Sequence, residues 1–212
     1  MVYFGYDPGG NDRHGVAALD VQGGKPVSVT TALVGTAEMA IQWFSARSGS
    51  PVAIGVDTLT CWSTGPAGWR PADRWLREQY PQVRQSVAAP NSLYGSMSLN
   101  GMMVLLALRG MAPHVMITET HPKVIYWYLR HEPYDFVASR TAMVEALAEE
   151  LDLDLDLDLA LASDHQWDAA LSALTAFRGF SGQWHRNLHA IAPAEDERLV
   201  VPCGVTNYFW PE

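Results

Sequence analysis

Cysteine is scarce in this chain. Only Cys61 and Cys203 occur, and their separation offers neither the paired spacing of a zinc site nor a disulfide framework. They read as inert thiols. Long apolar runs are also missing, since nothing approaches the roughly 18 to 20 residues that cross a bilayer. The first residues lack a basic segment leading into an apolar signal core, so the expectation is a cytoplasmic protein with no membrane partner. Cations are few: 14 Lys and Arg stand against 23 Asp and Glu, a formal net charge of -9. A protein that grips nucleic acid over a broad surface carries a basic footprint, and this balance argues against one.

What is present is ordinary globular material. The 212 residues are 48% hydrophobic and 17% charged, enough for one sizeable core and a single domain over 1–212. Four of the excess acids sit in the low-complexity stretch Leu151 to Leu159, where Leu and Asp alternate. Asp is disfavoured in strands, so this run reads as a loop or a helix extension rather than a strand.

The informative pattern is a short β-branched or aromatic run that ends in an acid. Val2-Tyr3-Phe4-Gly5-Tyr6 runs into Asp7, followed by the turn residues Pro8-Gly9-Gly10-Asn11. Val52-Ala53-Ile54-Gly55-Val56 runs into Asp57, and Val115-Met116-Ile117-Thr118 into Glu119. Each is too short for a helix and is bounded by breakers. Ligands of open α/β sheets bind outside the carboxyl ends of the strands, which is where these acids fall. A fourth acidic site, Asp164 with Asp168, opens an Ala- and Leu-rich helix with Ser163 as its cap. Four residues apart, the two share a helix face.

Along the chain, three strands come first, over 2–6, 16–21 and 27–33, with Gly23-Gly24 as a hairpin turn. A helix over 36–46 then leads by a crossover into a strand over 52–56. Residues 58–96 form a long connection rich in Gly, Pro and Trp, with one helical piece over 71–78, of a length typical of lids and binding elements. Helices follow over 97–109, 123–130, 139–151 and 164–177, with a fifth strand over 115–118 and a late edge strand at 199–201.

Strand-strand-strand-helix-strand-helix-strand-helix is the order of the RNase H-like fold. Gly5-Tyr6-Asp7-Pro8-Gly9 resembles the opening of Holliday-junction resolvases, and the helix from Asp164 to Ala173 resembles their closing acidic helix. The chain is most similar to an uncharacterised family of predicted RNase H-like nucleases, a domain of unknown function. Asp7, Val56-Asp57, Glu119-Thr120-His121-Pro122 and Asp168-Ala169 carry that likeness, which runs from Tyr3 to Pro202. The family has Asp-Ala-Pro where this chain has Asp57-Thr58-Leu59, and resolvases space their two late acids three apart rather than four.

The resemblance implies an α/β fold with a mixed five-stranded sheet, order 3-2-1-4-5, flanked by helices. In that order Asp7, Asp57 and Glu119 lie at one sheet edge, neighbouring strands being about 4.8 Å apart. Crowded carboxylates raise one another's pKa unless a cation intervenes. Mg²⁺ or Mn²⁺ suits oxygen ligands and supports phosphodiester hydrolysis. The expected ligands are Asp7, Asp57, Glu119, Asp164 and Asp168, with Asp7, Asp57, Glu119 and Asp168 catalytic; which of Asp164 and Asp168 faces the metals is open. His121 and His165 stand beside these acids as candidate bases or polar neighbours. Each acid also has a structural explanation, as a turn residue or a helix cap. Arg70, Arg74 and Arg77 fall at i, i+4 and i+7 beside Trp69 and Trp75 and are expected to share a helix face for substrate phosphate, or simply to be solvated. The function expected is a Mg/Mn-dependent hydrolase, a nuclease or phosphodiesterase acting on DNA or RNA. The alternatives are a non-catalytic interaction protein on the same fold and, ranked lower, an actin- or sugar-kinase-type ATP phosphotransferase. Oligomeric state is left open, a homodimer included.

Overall fold

The computed structural model describes residues 1–9, 13–47, 51–92, 95–153 and 162–211. Strands β1 (Val2–Asp7), β2 (His14–Gln22), β3 (Lys25–Val34), β4 (Pro51–Val56) and β6 (Met116–Glu119) form one five-stranded mixed sheet, ordered β3-β2-β1-β4-β6. The order is the expected one. The fifth strand takes the label β6 because the two-residue β5 (Trp62–Ser63) precedes it. The β1–β2 and β2–β3 pairs are antiparallel, and β1–β4 and β4–β6 are parallel. Gly23 and Gly24, at φ 59° and 80°, make the β2–β3 turn in the left-handed region that glycine enters without cost.

Helices cover both faces. On one face α1 (Ala37–Ser45) and α3 (Gly95–Met111) bury Phe44, Val104, Leu105 and Leu108 against Phe4, Tyr6, Ile54 and Ile117. On the other lie α2 (Pro71–Gln79), α4 (Pro122–Arg130), α5 (Phe136–Leu151) and α6 (Asp164–Phe180), around Tyr3, Ala17, Ala53 and Trp167. Thr36 and Ser163 cap α1 and α6 through Met39 N and Gln166 N, as their side chains suit them to do. The α5 helix starts three residues before its expected position, and the backbone departs from helical angles at Ser139. It ends at Leu151, with Asp152 in the left-handed region at φ 54°. The remainder of the Leu-Asp run, 154–159, lies outside the described residues, as do Gly10 and Asn11 of the first turn.

Three further short strands, β7 (Arg186–Asn187), β8 (Leu199–Val200) and β9 (Phe209–Trp210), complete the chain. The late strand at 199–200 is not an edge of the main sheet, since it pairs with β5, while β7 pairs with β9. Within the 58–92 stretch the helix α2 is anchored to the body of the fold. Ala72 and Leu76 of α2 are buried, and Trp210 Nε1 donates to Tyr80 Oη at 2.7 Å. No helix among the described residues is long and apolar enough to cross a membrane.

The α6 helix sits directly on the strands because glycine clears its path. A Cβ on Gly5 would stand 1.8 Å from the Ala169 carbonyl oxygen, and one on Gly55 1.9 Å from that of Ser172. The obstacle is backbone, which cannot swing aside. Gly55→Ala is therefore expected to cost about 3 kcal/mol, the upper part of the range for overpacking. Gly23→Ala, with nothing within 4 Å of its added Cβ, should cost about 1 kcal/mol from its positive φ alone. Urea denaturation checks the contrast, and equal losses would show that α6 can be displaced freely.

Candidate active site at the carboxyl ends of the strands

Register decides which acids meet. Tyr6 pairs with Val56, and Val56 with Glu119. The row just beyond therefore holds Asp7, Asp57 and Thr120, joined by Asp57 N to the Tyr6 carbonyl and Thr120 N to the Val56 carbonyl, each at 2.9 Å. Strand side chains alternate between faces. Gly5 and Gly55 face α6, so Asp7 and Asp57, two residues on, face it too. Thr120 confirms the side, because its Oγ1 lies 2.7 Å from Ser172 Oγ on α6.

From the helix comes Asp168, buried, with Tyr134 Oη donating to its Oδ1 at 2.8 Å. Asp164, one turn earlier, is exposed at the helix start. Of the two late acids, Asp168 is thus the one inside the cleft. His165 Nδ1 stands 2.6 Å from Asp7 Oδ2. The Asp57 carboxylate has no hydrogen bond or ion pair with any described residue.

Burial and mutual repulsion set the electrostatics. Burial pushes the Asp7 carboxyl up, against the pull of its His165 contact. Burial and then the Asp7 charge push Asp57 well up, and burial, Asp7 and Asp57 do the same to Asp168. The contact with Asp7 raises His165 in turn. Lys123, at the start of α4, lowers all three acids. Its Nζ lies 5.4 Å from the Tyr134 ring centre. A pocket of about 240 Å³ opens beside these groups, lined by Asp57, Thr58, Ser86, Val87, His121 and Lys123 among others.

Glu119 lines the same pocket as Asp57, whose carboxyl its charge helps to raise, but its register places it one residue short of the row of Asp7 and Asp57, on the opposite parity. There it accepts from Arg70 at 2.5 and 2.8 Å and from Thr60 N and Oγ1 at 2.9 and 3.1 Å. Burial would raise its carboxyl, but Arg70 and His189 outweigh burial and hold it well below the usual range. Arg70 is not on an exposed face with Arg74 and Arg77. It precedes α2 as its N-cap and is 2% exposed, and its Nε, Nη1 and Nη2 all donate, to Asp73, Glu119 and the Cys61 carbonyl. Arg74 and Arg77 do remain near the surface. Arg74 pairs with Glu197 at 2.7 and 3.0 Å, and Arg77 donates to the Arg84 and Val87 carbonyls at 2.6 and 3.0 Å.

Among the described residues, no group of three or more His, Cys, Asp or Glu side chains is arranged to hold a metal ion. The reason is local: Asp7 turns to His165 and Asp168 to Tyr134. The donor chemistry nonetheless fits a hard divalent cation, since three mutually repelling oxygen donors share one cleft and one of them, Asp57, has no hydrogen-bond or ion-pair partner among the described residues. Lys123, Tyr134 and the Thr120–Ser172 pair escaped the sequence reading. Thr120 and Lys123 left a trace, the first inside the Glu119-Thr120-His121-Pro122 segment and the second as the residue after it. No protein-family model matches the chain, and no curated protein is significantly similar to it.

The raised acids carry a pH signature. Their unfolded forms ionise near 3.9, whereas the folded forms keep protons to higher pH. Stability from them is complete below about 4 and is lost as pH rises through the folded values. His165, also raised, works in the same direction from about 6.5 upward. His121 opposes them: burial and then Lys123 lower it to about 4, so it loses stability as pH falls from about 6.5 to 4. His189, which burial lowers but contacts with Cys61 and Glu119 raise to about 10, acts as His165 does, so three acids and two histidines outweigh one histidine. In EDTA the melting temperature is expected to be higher at pH 5.5 than at pH 8, and a flat or reversed trend in calorimetric scans would contradict the crowding of Asp7, Asp57 and Asp168.

Proposed function

We propose that the chain is an RNase H-like, Mg²⁺- or Mn²⁺-dependent phosphodiesterase acting on nucleic acid, with Asp7, Asp57 and Asp168 as its metal-holding carboxylates. The observation that carries this reading is the convergence of three acids, buried Asp7 of β1, half-buried Asp57 at the end of β4 and buried Asp168 of α6, on one face at the carboxyl ends of the strands. The sheet order β3-β2-β1-β4-β6 supports the fold assignment. Keeping three such groups together costs stability in the metal-free protein, which a purely structural role does not explain.

A bound divalent cation supplies charge neutralisation and Lewis acidity at a phosphoryl oxygen. The chain's own residues do the rest. His165 orients Asp7 and can hold a proton on Nδ1; Tyr134, whose phenol burial and Asp168 keep protonated, orients Asp168. Lys123 offers a cation to a substrate phosphate from the rim of the pocket. A reducing cytoplasm suits this reading, because the buried Cys61 and Cys203 are free thiols there.

A non-catalytic interaction protein is the second reading, favoured by the local partners that Asp7 and Asp168 already have. Calorimetric titration with Mn²⁺ separates the two. The wild type should take up Mn²⁺ and Asp7→Asn should lose most of that affinity; no binding by the wild type would favour the interaction protein.

A further inference from the structure

A second groove lies behind the pocket wall. Trp69, Arg74, Arg77 and Arg84, with Glu78, line a shallow depression of about 380 Å³. The wall between groove and pocket is the stretch from the 3-10 turn Arg84–Ser86 to Ala88. Arg84 lines the groove, and Ser86, Val87 and Ala88 line the pocket beside Asp57. Both sides grip this wall. Arg77 donates to the Arg84 and Val87 carbonyls from the groove, and His121 Nε2 donates to the Ser86 carbonyl at 3.1 Å from the pocket.

Resting on the nuclease reading, we propose that Trp69, Arg74, Arg77 and Arg84 form the landing surface for a single-stranded nucleic acid that passes this wall into the pocket beside Asp57. Charge argues for the occupant. In a chain of net charge -9, three arginines around one groove form a local basic site, and the acidic remainder repels a polyanion from elsewhere. Arg84 is exposed and its side chain has no hydrogen bond or ion pair with a described residue. Arg74 is 44% exposed and forms a bidentate pair with Glu197, the fork geometry that also suits a phosphate competing for it. Aromatic surface argues for an unpaired strand. Trp69 is half-buried with the Arg77 guanidinium 4.9 Å from its ring centre, and stacking on a tryptophan requires an unstacked base. Size argues the same way: about 240 Å³ is below the ~300 Å³ at which drug-sized ligands begin to fit, so one residue of a chain enters and a duplex does not. His121 lines the pocket, and its Nδ1 has no hydrogen-bond partner among the described residues.

The test is fluorescence anisotropy with a short labelled oligothymidylate in EDTA, comparing wild type, Arg74→Ala/Arg84→Ala and Trp69→Leu. Arg77 is spared because it pins the wall. The double variant should bind at least tenfold more weakly, and its log–log salt slope should fall by about 1.4 for two lost phosphate contacts. Trp69→Leu should weaken binding by about tenfold. Unchanged affinity and slope in the double variant, no binding by the wild type, tighter binding of a duplex of equal length, or displacement by polyglutamate in preference to oligothymidylate would each overturn the proposal, the last assigning the groove to an acidic protein. Failure of the activity reading looks different. Binding through this groove without Mn²⁺-dependent cleavage removes the nuclease and keeps the surface, whereas cleavage with KM unchanged in the double variant keeps the nuclease and removes the surface.

Discussion

Asp57→Asn is expected to lower Mn²⁺-dependent phosphodiester hydrolysis on the order of a thousandfold, a loss of about 4 kcal/mol in transition-state stabilisation, while raising the melting temperature of the metal-free protein. The two effects have one cause. Asp57 is the cleft acid with no hydrogen bond to a described residue, so the amide breaks no contact with one. It also removes the charge that pushes Asp168 up and that Asp7 pushes up in turn. Asp7→Asn is a less clean probe, since it disturbs the 2.6 Å contact with His165. Turnover of an oligonucleotide and melting scans in EDTA and in excess Mn²⁺ read both effects. Retained turnover, or a lower metal-free melting temperature, would return Asp57 to a structural role. An Mn²⁺-induced rise in melting temperature confined to the wild type would place the cation on this carboxylate.

The sheet was legible because each of its strands is a compact β-branched or aromatic run with a breaker beside it. Strand order followed from the resemblance to known folds, not from periodicity. The two-residue strands β5, β7 and β9 were not legible, since pairs such as Arg186-Asn187 carry no period at all. For the site, Asp7, Asp57 and Asp168 were readable as strand-end and helix acids. Which of them face one another depends on register, and a shift of one residue reverses the face. Glu119 shows this: it ends its strand as Asp57 follows its own, yet pairs with Val56 rather than Asp57. Arg70 failed for a different reason. The i, i+4, i+7 spacing assumed a helix through residue 70, but Pro71 is the first helical residue, and the proline fixes Arg70 in extended backbone, at φ -86° and ψ 159°. That turns the guanidinium inward.

The inward turn buries Arg70 between two carboxylates, and Arg70→Met is expected to destabilise the fold by about 3 to 5 kcal/mol. Arg70 and Glu119 are each 2% exposed, and Asp73 is as deeply placed. Near them His189, which burial disfavours as a cation but contacts with Cys61 and Glu119 favour, is pushed up to about 10. Two cations thus balance two carboxylates. Methionine fills the volume of the arginine stem but leaves Glu119 and Asp73 desolvated without their main partner, and uncompensated buried charge is what makes such losses large. Arg70→Lys should recover only part of the loss, since three donors on a point charge cannot serve two carboxylates and a carbonyl together. The double variant Arg70→Met/Glu119→Gln should be more stable than Arg70→Met alone, because the amide removes one stranded charge while still accepting from Thr60 N. Urea denaturation of the three variants decides it: a methionine variant within about 0.5 kcal/mol of wild type, the range of ordinary surface changes, would mean that the ion-pair network contributes nothing to holding α2 against β6.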